Sequence, residues 1–306
     1  MRGRKWGSYG LLAALLFWLL SALSACINPA SIPAPGSGKG VAIVATENFY
    51  GNLFQQLGGS YVSVTSLLND PNADPHEFES SVQNAILVNN ANIVIENGGG
   101  YDSWMDRLLA ASPNPHRIVL VATAIANHKL PDNPHIWYGI DNMQTIARAM
   151  TAALERVDSA HASVYEHNLA VVSQSLTAIQ QTIASMKAKY GGTPVGLTED
   201  IYLYQANPLG LHVLTPYAFQ KAIAEGNDPP ADTVVTANNQ INRHQIKVLI
   251  YNEQTVTPIT TNLQQEAMQQ HIPIIGVTET MPPDKTYQKW MLAQLTALAK
   301  ALSSST

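Results

Sequence analysis

Apolar residues in this chain fall into two kinds of run. Short, unbroken stretches rich in Val, Ile and Leu occur at Val41–Ala45, Val62–Leu68, Asn92–Ile95 and Ile118–Val121, then again at Pro194–Leu197, Leu211–Leu214, Lys247–Tyr251 and Ile272–Val277. Runs of this length without polar alternation predict parallel strands buried on both faces. Amphipathic segments lie between them, such as Asn48–Leu57 and Ser80–Asn90, the latter with Val82, Ala85, Ile86 and Asn89 at helical spacing. Strands alternating with helices predict an α/β architecture with mostly parallel sheets, in two sets of four strands.

The two sets are separated by a stretch with no strand character. From about Asp141 to Tyr190 there is neither proline nor glycine, and Val164, Leu169, Val172, Leu176, Ile179, Ile183 and Met186 recur at spacings of three to five. This stripe predicts one helix over 161–189, roughly 40 Å long at ~1.5 Å per residue, stopped by Gly191-Gly192-Thr193-Pro194. The alternative is two shorter helices broken near Asp158.

The amino terminus has a different character. Arg2, Arg4 and Lys5 precede an apolar run from Leu11 to Leu20 and then small residues, the layout of a secretory signal over residues 1–25. The run is shorter than the ~20 residues of a spanning helix. It ends in Leu23-Ser24-Ala25-Cys26, which resembles the bacterial lipobox, so Cys26 is the expected lipidation site; it is also the chain's single cysteine. Residues 26–39, rich in Pro, Ser and Gly, read as a flexible tether. The folded body is then expected as an amino-terminal lobe (40–140), a linking helical segment (141–190) and a carboxy-terminal lobe (191–306).

Charge narrows the partners. The chain has 17 Lys+Arg against 22 Asp+Glu; loss of residues 1–25 removes Arg2, Arg4 and Lys5 and no acid, so 14 bases remain and the net charge is −8. That argues against nucleic acid as a ligand and suits the attraction of cations.

Two peptides carry the candidate chemistry: Asp-Pro-His-Glu-Phe-Glu at Asp74–Glu79 and Asn-Pro-His-Ile-Trp at Asn133–Trp137. In each, a proline stiffens the loop that presents a histidine, His76 or His135. Parallel sheets bind ligands at the carboxyl ends of their strands, and each histidine follows a strand-like run through a loop. Glu199, in Gly-Leu-Thr-Glu-Asp, and Glu279, in Gly-Val-Thr-Glu-Thr, each lie two residues past a later run. Two imidazoles and two carboxylates suit a borderline divalent ion: monodentate carboxylates favour tetrahedral Zn, bidentate ones favour Mn or Fe. Glu253 and Asp284 are the substitutes for Glu279, and His128 is an auxiliary candidate. The other histidines, including His161 and His167, lack partner spacing. Gly98-Gly99-Gly100 reads as a strand-to-helix turn, because no phosphate-loop Lys-Ser/Thr follows. Trp104 and Trp137 read as packing residues.

Several motifs stand in order: Asp74-Pro75-His76-Glu77-Phe78-Glu79; Asn97-Gly98 with Trp104; Asn133-Pro134-His135-Ile136-Trp137; Tyr165 to Asn168; and Thr198-Glu199-Asp200. Over about Val41 to Leu302 the chain resembles the metal-binding lipoproteins of bacterial zinc and manganese ABC importers. That resemblance implies two α/β lobes joined by one long rigid helix, with a metal ligated by His76, His135, Glu199 and Glu279 between them. Glutamate at Glu199, where zinc-type members usually have histidine, together with the lack of a His-rich loop before His135, leans toward manganese or iron. The implied partners are an ABC permease membrane subunit and, through the lipid, the membrane; a monomer in the cell envelope, on its extracytoplasmic side, is expected. Catalysis is not expected. A metal-dependent hydrolase and an organic-solute binder are the alternatives, and neither His-Glu-x-x-His nor Gly-x-Ser-x-Gly is present.

Overall fold

The computed structural model describes residues 40–69, 78 and 81–304. The expected signal segment, Cys26, the tether and His76 lie outside these residues. The first half runs β1 (Val41–Glu47), α1 (Asn48–Gly58), β2 (Val62–Leu68), α2 (Val82–Asn90), β3 (Ile93–Glu96), α3 (Trp104–Ala111), β4 (Ile118–Val121) and the single turn α4 (Ala122–Ile125). Helices α5 (Ile140–Val157) and α6 (Ala162–Tyr190) follow. The second half runs β5 (Pro194–Leu197), α7 (Leu203–Ala206), β6 (His212–Val213), α8 (Tyr217–Ala224), α9 (Ala231–Asn242), β7 (Leu249–Asn252), α10 (Pro258–Gln269), β8 (Ile274–Val277) and α11 (Tyr287–Ser304).

The strands form two four-stranded sheets, ordered β2-β1-β3-β4 and β6-β5-β7-β8. Every pairing is parallel, for example Val44 with Val94 and Ile250 with Ile275. Each apolar run read from the sequence became a strand. The central strand β3 is buried at all four positions, as an unalternating pattern requires.

Both readings of the linking stretch hold in part. Helix α6 is a single element of 29 residues, roughly 43 Å long at ~1.5 Å per residue. The preceding helix α5 nevertheless ends at Asp158, whose backbone leaves the helical region at φ −139°, ψ 74°. The Asp158 carboxylate then takes hydrogen bonds from Tyr165 Oη at 2.6 Å and the His161 ring at 2.7 Å. That ring stacks on Tyr61 with centroids 3.8 Å apart. Helix α6 touches both halves: Asn168 donates to the Leu57 carbonyl of α1 at 2.9 Å, and Tyr190 Oη to the Ala299 carbonyl of α11 at 3.4 Å.

Residues Gly40–Thr306 gather as one compact unit, and of its three apolar core clusters the largest runs through both sheets. At its centre Phe49 of α1 stacks on Trp137 at 4.9 Å and lies 5.8 Å from Trp290 of α11. Tyr138 meets Trp290 at 5.9 Å and Tyr202 at 5.7 Å. The polar tips of these rings stitch the halves together: Tyr287 Oη donates to the Trp137 carbonyl at 2.6 Å, and Tyr138 Oη to the Thr278 carbonyl at 2.7 Å. Asn48 and Met281 exchange two hydrogen bonds, 2.6 and 3.0 Å.

A shared core predicts shared unfolding. Urea denaturation of the protein is expected to give one transition, coincident by near- and far-ultraviolet circular dichroism. Trp137→Ala, at a fully buried position, is expected to lower stability by about 3–5 kcal/mol while keeping that single transition. Two separated transitions in the wild type would show that the halves have independent cores.

Candidate metal centre

Residues past the carboxyl ends of the two sheets meet one another, Tyr101 with Glu279 and His135 with Asp200, and the buried space they enclose is the candidate pocket. On its first-half side the turn after β3 is built from Gly98, Gly99 and Gly100, all with positive φ of 73°, 65° and 89°. A Cβ on Gly98 would lie 2.5 Å from Val121 Cγ1, so both the backbone conformation and the space require glycine there. The turn points two backbone N–H groups, of Asn97 and Gly98, at the Asp102 carboxylate at 2.6 and 2.7 Å. It is the strand-to-helix turn that the glycine run suggested, between β3 and α3, and Tyr101 follows it directly.

His135 sits in the loop that leads to the 3-10 turn Ile136–Tyr138 and is 1% exposed. Asn133 Oδ1 accepts its backbone N–H at 3.0 Å and lies 3.0 Å from its Nδ1. Asp200 Oδ1 is 3.3 Å from the same nitrogen. Two oxygens at Nδ1 place the ring proton there and leave Nε2 as the basic nitrogen. Nε2 is buried without a hydrogen-bond partner. The ring is held edge-on to Trp137 at 5.2 Å and to Tyr101 at 6.0 Å.

The second half brings Glu199 and Glu279, each two residues past its strand, β5 and β8; each is 1% exposed. Asn252, the last residue of β7, joins them: its Nδ2 lies 3.1 Å from Glu199 Oε2 and 2.7 Å from Glu279 Oε1. Tyr101 Oη, from the first half, donates to Glu279 Oε2 at 2.8 Å. The Glu279 backbone N–H is accepted by the Gln254 side chain. Glu199 Oε1 is buried without a hydrogen-bond partner.

Burial and the charge of Glu279 push the Glu199 carboxyl up to about 8, against smaller lowering by Asn252, Thr255 and His135. For His135 burial is the largest single influence and acts downward; Asp200, Glu279 and Glu199 together outweigh it, and the imidazole ends above its ordinary value. The Tyr101 phenol is raised well above its usual range by burial, then by Glu279. The pocket is thus acidic and dry, with each site sensing the others.

Of the four sequence-predicted ligands, Glu199 and Glu279 are linked through the Asn252 amide, His135 senses the charge of both, and His76 lies outside the described residues. Phe78, two positions further on, packs against Trp104 with centroids 4.5 Å apart. Among the described residues no three His, Cys, Asp or Glu side chains converge closely enough to hold an ion unaided; the Asn252 amide bridges the carboxylates instead. Glu253 and Asp284, the substitutes for Glu279, are both exposed. His128 is exposed and lines a separate pocket with Gly139 and Asn142. His116, His167, His212, His244 and His271 are all exposed. Beside His135 a cleft of about 590 Å³ opens, lined also by Tyr101, Asp200, Lys129 and Lys221. Asp200, Asn252 and Tyr101 were not singled out from the sequence. Asp200 directly follows Glu199, and Asn252 ends an apolar run, so the rule that found Glu199 reaches both.

With this geometry in view, the sequence profile of the zinc-uptake complex component A periplasmic family matches residues 43–301. The chain belongs to that family. Among curated relatives, the metal ABC transporter substrate-binding lipoprotein ScbA of Streptococcus cristatus is 22% identical over 59% of this chain and 61% of its own length. The manganese-binding lipoprotein MntA of Bacillus subtilis is 25% identical over 52% of this chain and 53% of its own. The chain thus spans about half to three fifths of the curated relatives it matches. Its fold is shared with the substrate-binding protein FpvC of Pseudomonas aeruginosa in complex with Mn²⁺, at TM-score 0.74 and 20% identity over 88% of this chain and 100% of that one. A Cd-bound periplasmic metal-binding protein of Candidatus Liberibacter asiaticus superposes at TM-score 0.69 and 20% identity, over 85% and 98% of the two chains.

The raised Glu199 carboxyl gives a signed pH dependence. Folded protein keeps this proton after the unfolded chain, near the ordinary 4.5, has lost it, so stability falls as pH rises from 4.5 to about 8. The urea midpoint of chelator-stripped protein is expected to drop between about pH 5 and about pH 8. Glu199→Gln is expected to shrink that drop. Equal drops in both proteins would show that Glu199 titrates normally.

Proposed function

We propose that this protein captures a divalent transition metal ion, Mn, Zn or Fe, in the pocket between its two sheets and passes it to the membrane subunit of an ABC permease. Capture, with the ion as cargo, is its chemistry; no turnover is involved. The observation that carries this reading is a pair of basic atoms, His135 Nε2 and Glu199 Oε1, each buried without a partner in one acidic pocket with Glu279. Unpartnered buried acceptors cost free energy unless something positive meets them, and a borderline divalent ion suits one imidazole and two carboxylates.

His135, Glu199 and Glu279 are the proposed ligands from the described residues, and His76 is the fourth. Asp200 and Asn133 orient His135 by holding the Nδ1 proton, the usual support for a metal-bound histidine. The periplasmic family and the lipoprotein names of the relatives support an extracytoplasmic location with lipid at Cys26. No helix among the described residues is long and apolar enough to cross a membrane.

Elemental analysis of protein stripped by chelation and reloaded with Mn, Zn or Fe is expected to find one equivalent of metal. His135→Ala combined with Glu199→Ala is expected to weaken retention at least a hundredfold, about 3 kcal/mol or more. Because Glu199 sits near 8, loading near neutral pH is also expected to release a proton, read by calorimetry in two buffers of different ionisation enthalpy. Failure of the wild type to take up any of the three metals would overturn the proposal.

A further inference from the structure

Asn252 has more contact with the two pocket carboxylates than any ligand role assigned so far explains. Its Nδ2 lies 3.1 Å from Glu199 Oε2, 2.7 Å from Glu279 Oε1 and 3.0 Å from Thr255 Oγ1. Its Oδ1 accepts the Gln254 backbone N–H at 3.0 Å, and its own backbone N–H reaches Thr198 Oγ1 at 3.3 Å. The residue is 1% exposed and ends β7, paired with Val277 of β8. Its amide therefore cannot rotate away from the carboxylates without giving up the Gln254 bond.

We infer that Asn252 is a selectivity residue, restricting Glu199 and Glu279 to one-oxygen donation so that the pocket favours a low-coordinate ion such as zinc over manganese. The inference rests on the reading of this pocket as a metal site and adds what decides between ions. A carboxylate oxygen that already accepts a short N–H bond has less electron density and less room for a cation. Glu199 keeps Oε1 unpartnered while Oε2 is taken by the amide. Glu279 has a donor on each oxygen, Asn252 on one and Tyr101 on the other. Bidentate carboxylates are the means by which a small set of residues reaches the six or so ligands that manganese takes, whereas zinc is content with about four. An amide fixed between the two carboxylates opposes the bidentate mode at both. Asn252 thus acts against the preference that two glutamates would otherwise confer.

The test is metal competition on the full chain. Wild type, Asn252→Ala and Asn252→Ser are stripped, equilibrated with equal total Mn and Zn in excess, and analysed for bound metal, with thermal unfolding as the control for folding. Wild type is expected to bind about one equivalent in total. Asn252→Ala is expected to bind as much, with the Mn:Zn ratio raised about tenfold, roughly 1.4 kcal/mol of selectivity. Asn252→Ser, whose hydroxyl can donate to only one carboxylate, is expected to fall between them, and it decides the matter if the alanine variant does not fold. An unchanged or lowered ratio in a folded, metal-binding variant overturns the role of Asn252 and leaves the proposed function standing. A wild type that binds neither metal overturns both.

Discussion

A dry aromatic seam between the two sheets holds the candidate site in register. Trp137, Phe49, Tyr138 and Trp290 pack at ring separations of 4.9 to 6.2 Å, and the polar tips of Tyr138 and Trp290 are tied to Thr278, beside Glu279. His135 lies two residues before Trp137, whose carbonyl accepts from Tyr287. Glu279 follows Thr278, whose carbonyl accepts from Tyr138 and whose hydroxyl accepts from Trp290. Each buried ring contributes about 1.5–3 kcal/mol of burial, and close-packed interiors resist small sliding movements. A rigid rotation of one half against the other would break this seam, so movement at the pocket falls to the loops around it.

Within that rigid frame the pocket concentrates negative charge and meets it in several ways. Tyr101 and Asn252 donate hydrogen bonds to Glu279, and Asn252 also donates to Glu199. Glu199 is pushed toward its protonated form by burial and by Glu279. Asn133 and Asp200 engage the outer nitrogen of His135. A similar theme runs behind the pocket, where Glu47 is buried and raised well above the usual carboxylate range by desolvation and by Asp102. Protein dipoles and protons thus share the stabilisation of this negative charge.

Much of the architecture was legible in the chain. All eight strands followed from short apolar runs; a strand covered on both faces, as β3 is, has no polar alternation to confuse it, whereas the edge strand β2, Val-Ser-Val-Thr-Ser-Leu-Leu, is only partly buried. The long helix and its stop at Gly191 followed from one apolar stripe and one glycine pair. Its upstream limit was ambiguous, since the break at Asp158 depends on the Tyr165 and His161 contacts that the carboxylate makes in three dimensions. His135 announced itself through a Pro-His loop, Glu199 and Glu279 through their distance from a strand end.

What the sequence by itself determined is the local pattern: which segments are strands, which are helices, and which polar side chains stand at strand ends. Only the tertiary structure decided that both halves share one core, because contacts such as Asn48 with Met281 join residues 233 apart. It also buried Glu279 and left Glu253 and Asp284 exposed. Successive residues at a strand end face opposite sides, so Asn252 enters the pocket while Glu253 is exposed. A list of strand ends names the residues; the register of β7 against β8 and the approach of Tyr101 across 178 positions of chain choose which of them meet.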